Sequence, residues 1–125
     1  MDNYLKKVRN FFILGKIAER INMYSEAASN YFKSLSAIND FLLEKINLKA
    51  KDHSDRFRLL EQNFPEAYEL TDKMFVVYRR TYTSEISKEE LVMLRKNLEN
   101  AFKNAKIQIP TDEEIERKAG EISKK

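Results

Sequence analysis

Apolar positions along this chain recur at steps of three and four, the spacing that gathers side chains on one helix face at 3.6 residues per turn. Tyr4, Val8, Phe11, Phe12, Ala18 and Ile21 predict a first helix over residues 3–21. Gly15 interrupts that stripe, and close packing against a neighbouring helix would justify it. Asn22 and Ser25 mark a short break, and either has the side chain to cap the second helix. Ala28, Tyr31, Phe32, Leu35, Ile38 and Leu42 then form a stripe over residues 24–47. So short a connection predicts an antiparallel helical hairpin.

The second half is punctuated more sharply. Residues 48–55 are polar and read as a loop, with Asp52 or Ser54 as caps for a short helix over 56–63. Pro65 disfavours helical geometry in the residue before it and suits the first turn of a new helix, here 65–80, with Ala67, Leu70, Met74 and Val77 on its buried face. Ser87 and Glu90 have capping-box spacing, and Ile86 and Leu91 that of a hydrophobic staple. Leu91, Leu94, Leu98, Ala101 and Ala105 continue this stripe to a break at 107–110. Thr111 and Glu114 repeat the capping-box spacing before a weakly apolar last helix carrying Ile115, Ala119 and Ile122.

Only two glycines and two prolines occur in 125 residues, which suits long helices and short connections, and 42% hydrophobic residues can fill one core. The expected fold is all-α: an up-and-down bundle of four to five helices over residues 1–109, with a short C-terminal helical extension over 110–125 that either frays or docks on a partner. No strand-like alternation persists. The absence of cysteine removes disulfides, thiolate metal sites and cysteine nucleophiles and fits a reducing cytoplasm. The apolar clusters are far shorter than a membrane span, and the N-terminus has no secretory-signal pattern, so no membrane association is expected. The net charge of +3 permits contact with nucleic acid without requiring it. Basic residues cluster at Lys6, Lys7 and Arg9, at Lys45, Lys49 and Lys51, and at Arg79 and Arg80, each cluster also readable as a solvated helix face.

Phosphate-cradling glycine loops and zinc-ligand spacings are absent, so no metal or cofactor is expected. Candidate chemistry is confined to a few residues. His53, the only histidine, lies between Asp52 and Asp55 and reads either as an acid/base or phosphate contact or as a loop residue covering the next helix. Arg79 and Arg80 suit phosphate or carboxylate by their guanidinium forks, or simply complement the end of their helix. They point about 100° apart, so at most one faces a given groove. Tyr78 and Tyr82, four apart, offer rings for a base to stack on, or seal the edge of the core.

The hairpin AERINMYSEAASNYFKSLSAINDFLLEK, with Tyr24, Ala27, Ala28, Tyr31 and Phe32, resembles the first helical pair of the HEPN superfamily, and YRRTYTSEISKEEL is similar to that family's arginine-plus-aromatic segment. His53 falls where a family histidine recurs, and the resemblance spans about residues 3–105. It implies a homodimeric helical bundle with an RNA-linked role, commonly beside a nucleotidyltransferase in a toxin–antitoxin pair. Active family ribonucleases have a histidine separated from the arginine by four to six intervening residues. From Arg79 or Arg80 this chain has Ser84, Glu85, Ile86 or Ser87 instead. The leading expectation is therefore a non-catalytic RNA- or nucleotide-binding or protein-interaction subunit with His53, Arg79, Arg80 and Tyr82 as binding candidates. The alternatives are a divergent metal-independent endoribonuclease using those same residues, and a structural helical adaptor.

Overall fold

The apolar stripes become six α-helices among residues 2–123, the residues described by the computed structural model. These are α1 (Asp2–Arg20), α2 (Tyr24–Glu44), α3 (His53–Asn63), α4 (Pro65–Arg80), α5 (Lys88–Asn104) and α6 (Asp112–Ser123). No strand occurs among the described residues. The class is an all-α helical bundle, as the periodicity predicts.

α1 and α2 pack antiparallel along most of their length. The Ser34 hydroxyl donates to the Val8 carbonyl at 2.7 Å, fastening the hairpin with a buried hydrogen bond. Phe12 sits between the rings of Tyr31 (5.7 Å) and Phe102 (5.2 Å), joining α1, α2 and α5 in one core. Gly15 has the role its position suggested, because the Tyr31 ring lies against its backbone. Tyr31 donates its hydroxyl to Glu19 at 2.7 Å, and Glu19 also accepts from Arg95 Nε at 3.0 Å, so the polar end of that ring is satisfied. α3 folds onto α4 around a smaller cluster of Leu43, Leu59 and Leu60, with Phe64 and Tyr68 against it.

Several helix ends differ from the expectation for one physical reason. Asn22, Asn47 and Lys106 have positive φ (62°, 61° and 59°), and each closes a Schellman turn. After α2, for example, Leu48 N–H reaches the Leu43 carbonyl and Asn47 N–H the Glu44 carbonyl, both at 3.0 Å. This ends α2 at Glu44 rather than 47, and the same device after α1 leaves Ile21 62% exposed instead of in the core. Neither Asn22 nor Ser25 caps α2, whose N-cap position is Met23 with no side-chain bond. Ser25 instead donates to the Ser84 carbonyl at 3.3 Å, tying down the turn after α4. Asp52 does cap α3, accepting from Asp55 N–H at 2.9 Å, so that helix begins at His53, three residues earlier than expected.

The two capping boxes both form. Ser87 Oγ accepts from Glu90 N–H at 3.1 Å, while Ser87 N–H donates back to Glu90 at 3.2 Å, with Ile86 and Leu91 buried beside them. Thr111 and Glu114 repeat the exchange at 3.2 Å in each direction. α6 lies on α1 of its own chain: Ile115 is buried, Arg9 pairs with Glu114, and Arg20 donates to Glu116 at 2.8 Å. Its outer residue Ile122 is exposed.

Candidate functional site

α2 and α4 run antiparallel, which brings the start of one beside the end of the other. Tyr78 therefore stacks on Phe32, with ring centroids 4.4 Å apart and planes at 14°. Phe75, one turn before Tyr78, lies 5.7 Å from Phe32 and 5.3 Å from Phe57 of α3. Tyr82 extends the series outward, packing edge-on to Tyr78 at 5.6 Å with the two hydroxyls 2.8 Å apart. The four-residue spacing is productive because the turn after α4 keeps a helical course through Thr83 and Ser84 N–H bonds to the Arg80 carbonyl.

His53 joins this ladder from the first position of α3, its ring 6.3 Å from both Phe32 and Phe75. Arg56, one turn on, approaches His53 Nδ1 at 2.9 Å. A guanidinium can only donate, so Nδ1 accepts and the neutral ring carries its proton on Nε2. Burial against the aromatic rings, and then the positive charge of Arg56, hold the His53 pKa below its ordinary 6.5. Arg56 is fixed in turn by a two-pronged bond to Asp40 of α2, at 2.9 and 3.0 Å.

The two arginines part company. Arg79 lies over the Phe75 ring at 5.8 Å, a cation–π contact on the ladder's flank. Arg80 turns to α5 and pairs with Glu90 of the capping box, with which it holds the Glu90 carboxyl below its usual range. Of the residues singled out in the sequence, His53, Arg79, Tyr78 and Tyr82 thus share one aromatic ladder, and Arg80 serves a helix start.

A pocket of about 230 Å³ opens beside the ladder between α1, α2 and α4. Phe32, Tyr78 and His53 line it, with Tyr4 and Phe11 opposite. Lys7 and Lys33 are on its wall, and Asp40, the acidic residue there, is already occupied by Arg56. The sequence had marked Lys7 only as part of a basic cluster, and Lys33 not at all. The Asp40–Arg56 pair, sixteen residues apart, leaves no local signal. Tyr78 donates or accepts a bond with Tyr82, and this, with burial, pushes its phenol up to about 12. The arrangement offers flat rings, cations and one imidazole donor at neutral pH.

Among the described residues no group of three or more His, Cys, Asp or Glu side chains could hold a metal ion, and no helix is long and apolar enough to cross a membrane. No family model, no curated protein and no solved structure matches this chain.

Proposed function

We propose that the chain is a non-catalytic, HEPN-like helical bundle that binds single-stranded RNA or a nucleotide at the pocket between α1, α2 and α4. The observation that carries this reading is the meeting of His53, Arg79, Tyr78 and Tyr82 on one aromatic ladder bordered by Lys7 and Lys33. The exposed Tyr82 ring gives a base a face to stack on, and flanking cations follow the phosphates. The pocket is below the roughly 300–1,000 Å³ of drug-sized sites, which suits one base or one phosphate rather than a whole nucleotide.

The binding reading is preferred over cleavage on proton grounds. Hydrolysis of RNA without metal calls for one group to take a proton and another to supply one. His53 serves near neutrality, whereas Tyr78 is pushed up to about 12 and Arg79 stays charged. The same reading carries a cytoplasmic setting, a second copy of the chain as partner, and a nucleotidyltransferase beside it in a toxin–antitoxin-type pair. Val76, one turn before Arg79 and Arg80, is 59% exposed and offers an apolar contact for such a partner.

The test is fluorescence anisotropy with a labelled single-stranded RNA across a salt series, with sedimentation run alongside. Affinity should fall with salt, with a log–log slope of about −0.7 per phosphate contacted. Tyr82→Ala should weaken binding by about tenfold through lost stacking, with an unchanged Tm because Tyr82 is 72% exposed. A strict monomer that binds neither RNA nor nucleotide would overturn the proposal. Metal-free cleavage of the RNA that disappears in His53→Ala would replace it with the ribonuclease reading.

A further inference from the structure

Arg56 does not line the pocket beside His53, yet it decides which polar groups that pocket has free. It bonds both oxygens of Asp40, through Nε at 2.9 Å and Nη2 at 3.0 Å, and its Nη1 donates to His53 Nδ1 at 2.9 Å. Arg56 and Asp40 are both half-buried, and the two-pronged pairing holds the guanidinium in one orientation. One side chain thus settles two lining residues at once. Asp40 has its charge balanced, and His53 has its acceptor nitrogen filled.

What remains on the wall gives hydrogen bonds more readily than it takes them. Lys7 and Lys33 are exposed, and neither forms an ion pair among the described residues. An ammonium has no acceptor, and the His53 ring retains only the N–H of Nε2 for a ligand. Tyr4, Ser36 and Tyr78 add hydroxyls, which can donate as well as accept. The cations belong to this side of α2. A larger groove of about 500 Å³ opens on its other side, with Leu35, Ile38 and Leu42 in the wall, and among the described residues no lysine or arginine lines it.

A nucleobase would use the smaller pocket poorly. Every base edge carries N–H donors beside its acceptors, and donors withdrawn from water without partners are costly. A phosphate presents acceptors, and its charge matches the two ammonium groups. We infer that Arg56 is the positioning residue of this site, and that by occupying Asp40 and His53 Nδ1 it selects a phosphate group as the part of the ligand that enters the pocket. The base stays outside, against Tyr82, which is exposed and packs on Tyr78. The inference rests on the reading that RNA or a nucleotide binds here, and adds which part of it enters and what enforces the choice.

Calorimetric titration of the full chain with UMP and with uridine, at neutral pH, tests both halves. UMP should bind about tenfold tighter than uridine, the contribution of a charge-assisted hydrogen bond. Arg56→Met removes the charge and the donors and leaves the Asp40 carboxylate unbalanced, so it should weaken UMP by about tenfold and uridine by no more than about twofold. Adding Asp40→Asn to Arg56→Met removes that carboxylate, and UMP affinity should return to within about threefold of the parent. A role in packing alone would not be restored by a second change at the same contact. Long-range ¹H–¹⁵N spectra of the His53 ring supply a separate signature: the proton on Nε2 in the parent, and Nδ1–H populated in Arg56→Met. A 5′-phosphorylated oligouridylate compared with its 5′-hydroxyl counterpart tells a chain-end phosphate from an internal one, and either source agrees with the inference. Equal affinity of the parent for UMP and uridine would overturn the phosphate assignment while leaving nucleotide binding in place. UMP affinity unchanged in Arg56→Met, or lost there and not recovered in the double variant, would overturn the role of Arg56. Binding of neither UMP nor the oligouridylate by the parent would remove the reading of the site, and this inference with it.

Discussion

Gly15→Ala is the sharpest test of how the core is built. A Cβ at this position would lie 2.4 Å from both Cδ1 and Cε1 of Tyr31. Carbon atoms pack at about 3.5–4.0 Å, so the ring has to retreat by more than about 1 Å. It has nowhere easy to go. The residue is fully buried, the Phe12 ring stands 5.7 Å away, and the hydroxyl is tied to a Glu19 that also holds Arg95. Overpacking of this kind costs about 1–3 kcal/mol, and the severity of the approach puts it near the upper end. Alanine returns about 1 kcal/mol through its better helix propensity. The net loss is about 2 kcal/mol. With about 2.1 cal/mol/K of unfolding entropy per residue over 125 residues, 1 kcal/mol corresponds to about 4 °C, so Tm should fall by about 8 °C. Calorimetry and urea unfolding both measure it. An unchanged or higher Tm would refute the reasoning. A second arm localises the cause: in a Tyr31→Leu background the clash is gone, and Gly15→Ala should be neutral or stabilising. If it costs the same there, Tyr31 is not what the glycine accommodates.

Four further predictions concern charge, capping and docking. His53 should titrate below 6.5 by NMR, and Arg56→Gln, which removes the neighbouring positive charge, should move its pKa upward. Because the folded chain binds fewer protons at His53 than the unfolded one between the two pKa values, its effect is a loss of stability as pH falls below 6.5, with none above. Ser87→Ala should lower stability by about 1 kcal/mol, or about 4 °C in Tm, by removing the cap of α5. Glu90→Gln keeps the box but loses the charge pair with Arg80. Glu90 has its folded pKa depressed by Arg80 and by the Ser87 N–H, so its stabilisation is present above the unfolded value near 4.5 and is lost as pH falls through the folded pKa. Urea unfolding should therefore distinguish Glu90→Gln from the parent at pH 7 and not in strong acid. Arg9→Met should speed hydrogen exchange over residues 111–123, whose anchor on α1 includes the Arg9–Glu114 pair, and leave α2 and α5 protected.

Helices were legible because burial imposes a period that the apolar residues must obey, and starts were legible where a side chain does the capping. Ser87, Thr111 and Asp52 announced themselves in this way. Ends were less so. Asn22, Asn47 and Lys106 stop their helices through backbone bonds in a left-handed turn, and a lysine in that role has no distinctive signal. The site was partly legible. Angular spacing says that Arg79 and Arg80 diverge, but which of them meets the aromatic ladder depends on Glu90 of the following helix taking Arg80. Lys33, Phe75 and the Asp40–Arg56 pair belong to the site through contacts between elements, and no local pattern encodes those. Asn39 is one polar residue in an apolar stripe, and its pairing with Thr71 exists only once α4 is laid against α2.

That pairing bears on the geometry of the candidate site. Along the α2–α4 seam, Phe32 is stacked with Tyr78 and Asn39 is bonded to Thr71. Phe32 and Asn39 are seven residues apart, as are Thr71 and Tyr78, and seven residues make two helical turns. In antiparallel helices these equal offsets mean that one contact dictates the other. Aromatic and aliphatic side chains tolerate several registers, because dispersion is indifferent to which carbon meets which. A buried carboxamide is not indifferent: a slip of one turn would leave Asn39 Nδ2 without its acceptor in the core. The Asn39–Thr71 bond thus selects the register in which Tyr78 stands on Phe32 at the pocket, with Tyr82 packed outside Tyr78 and Arg79 over Phe75. The same carboxamide leaves its oxygen buried without a hydrogen-bond partner. The residues Phe32, Lys33, Ser36 and Asp40 face one cavity, and Leu35, Ile38, Asn39 and Leu42 the other, so α2 is the wall between the two.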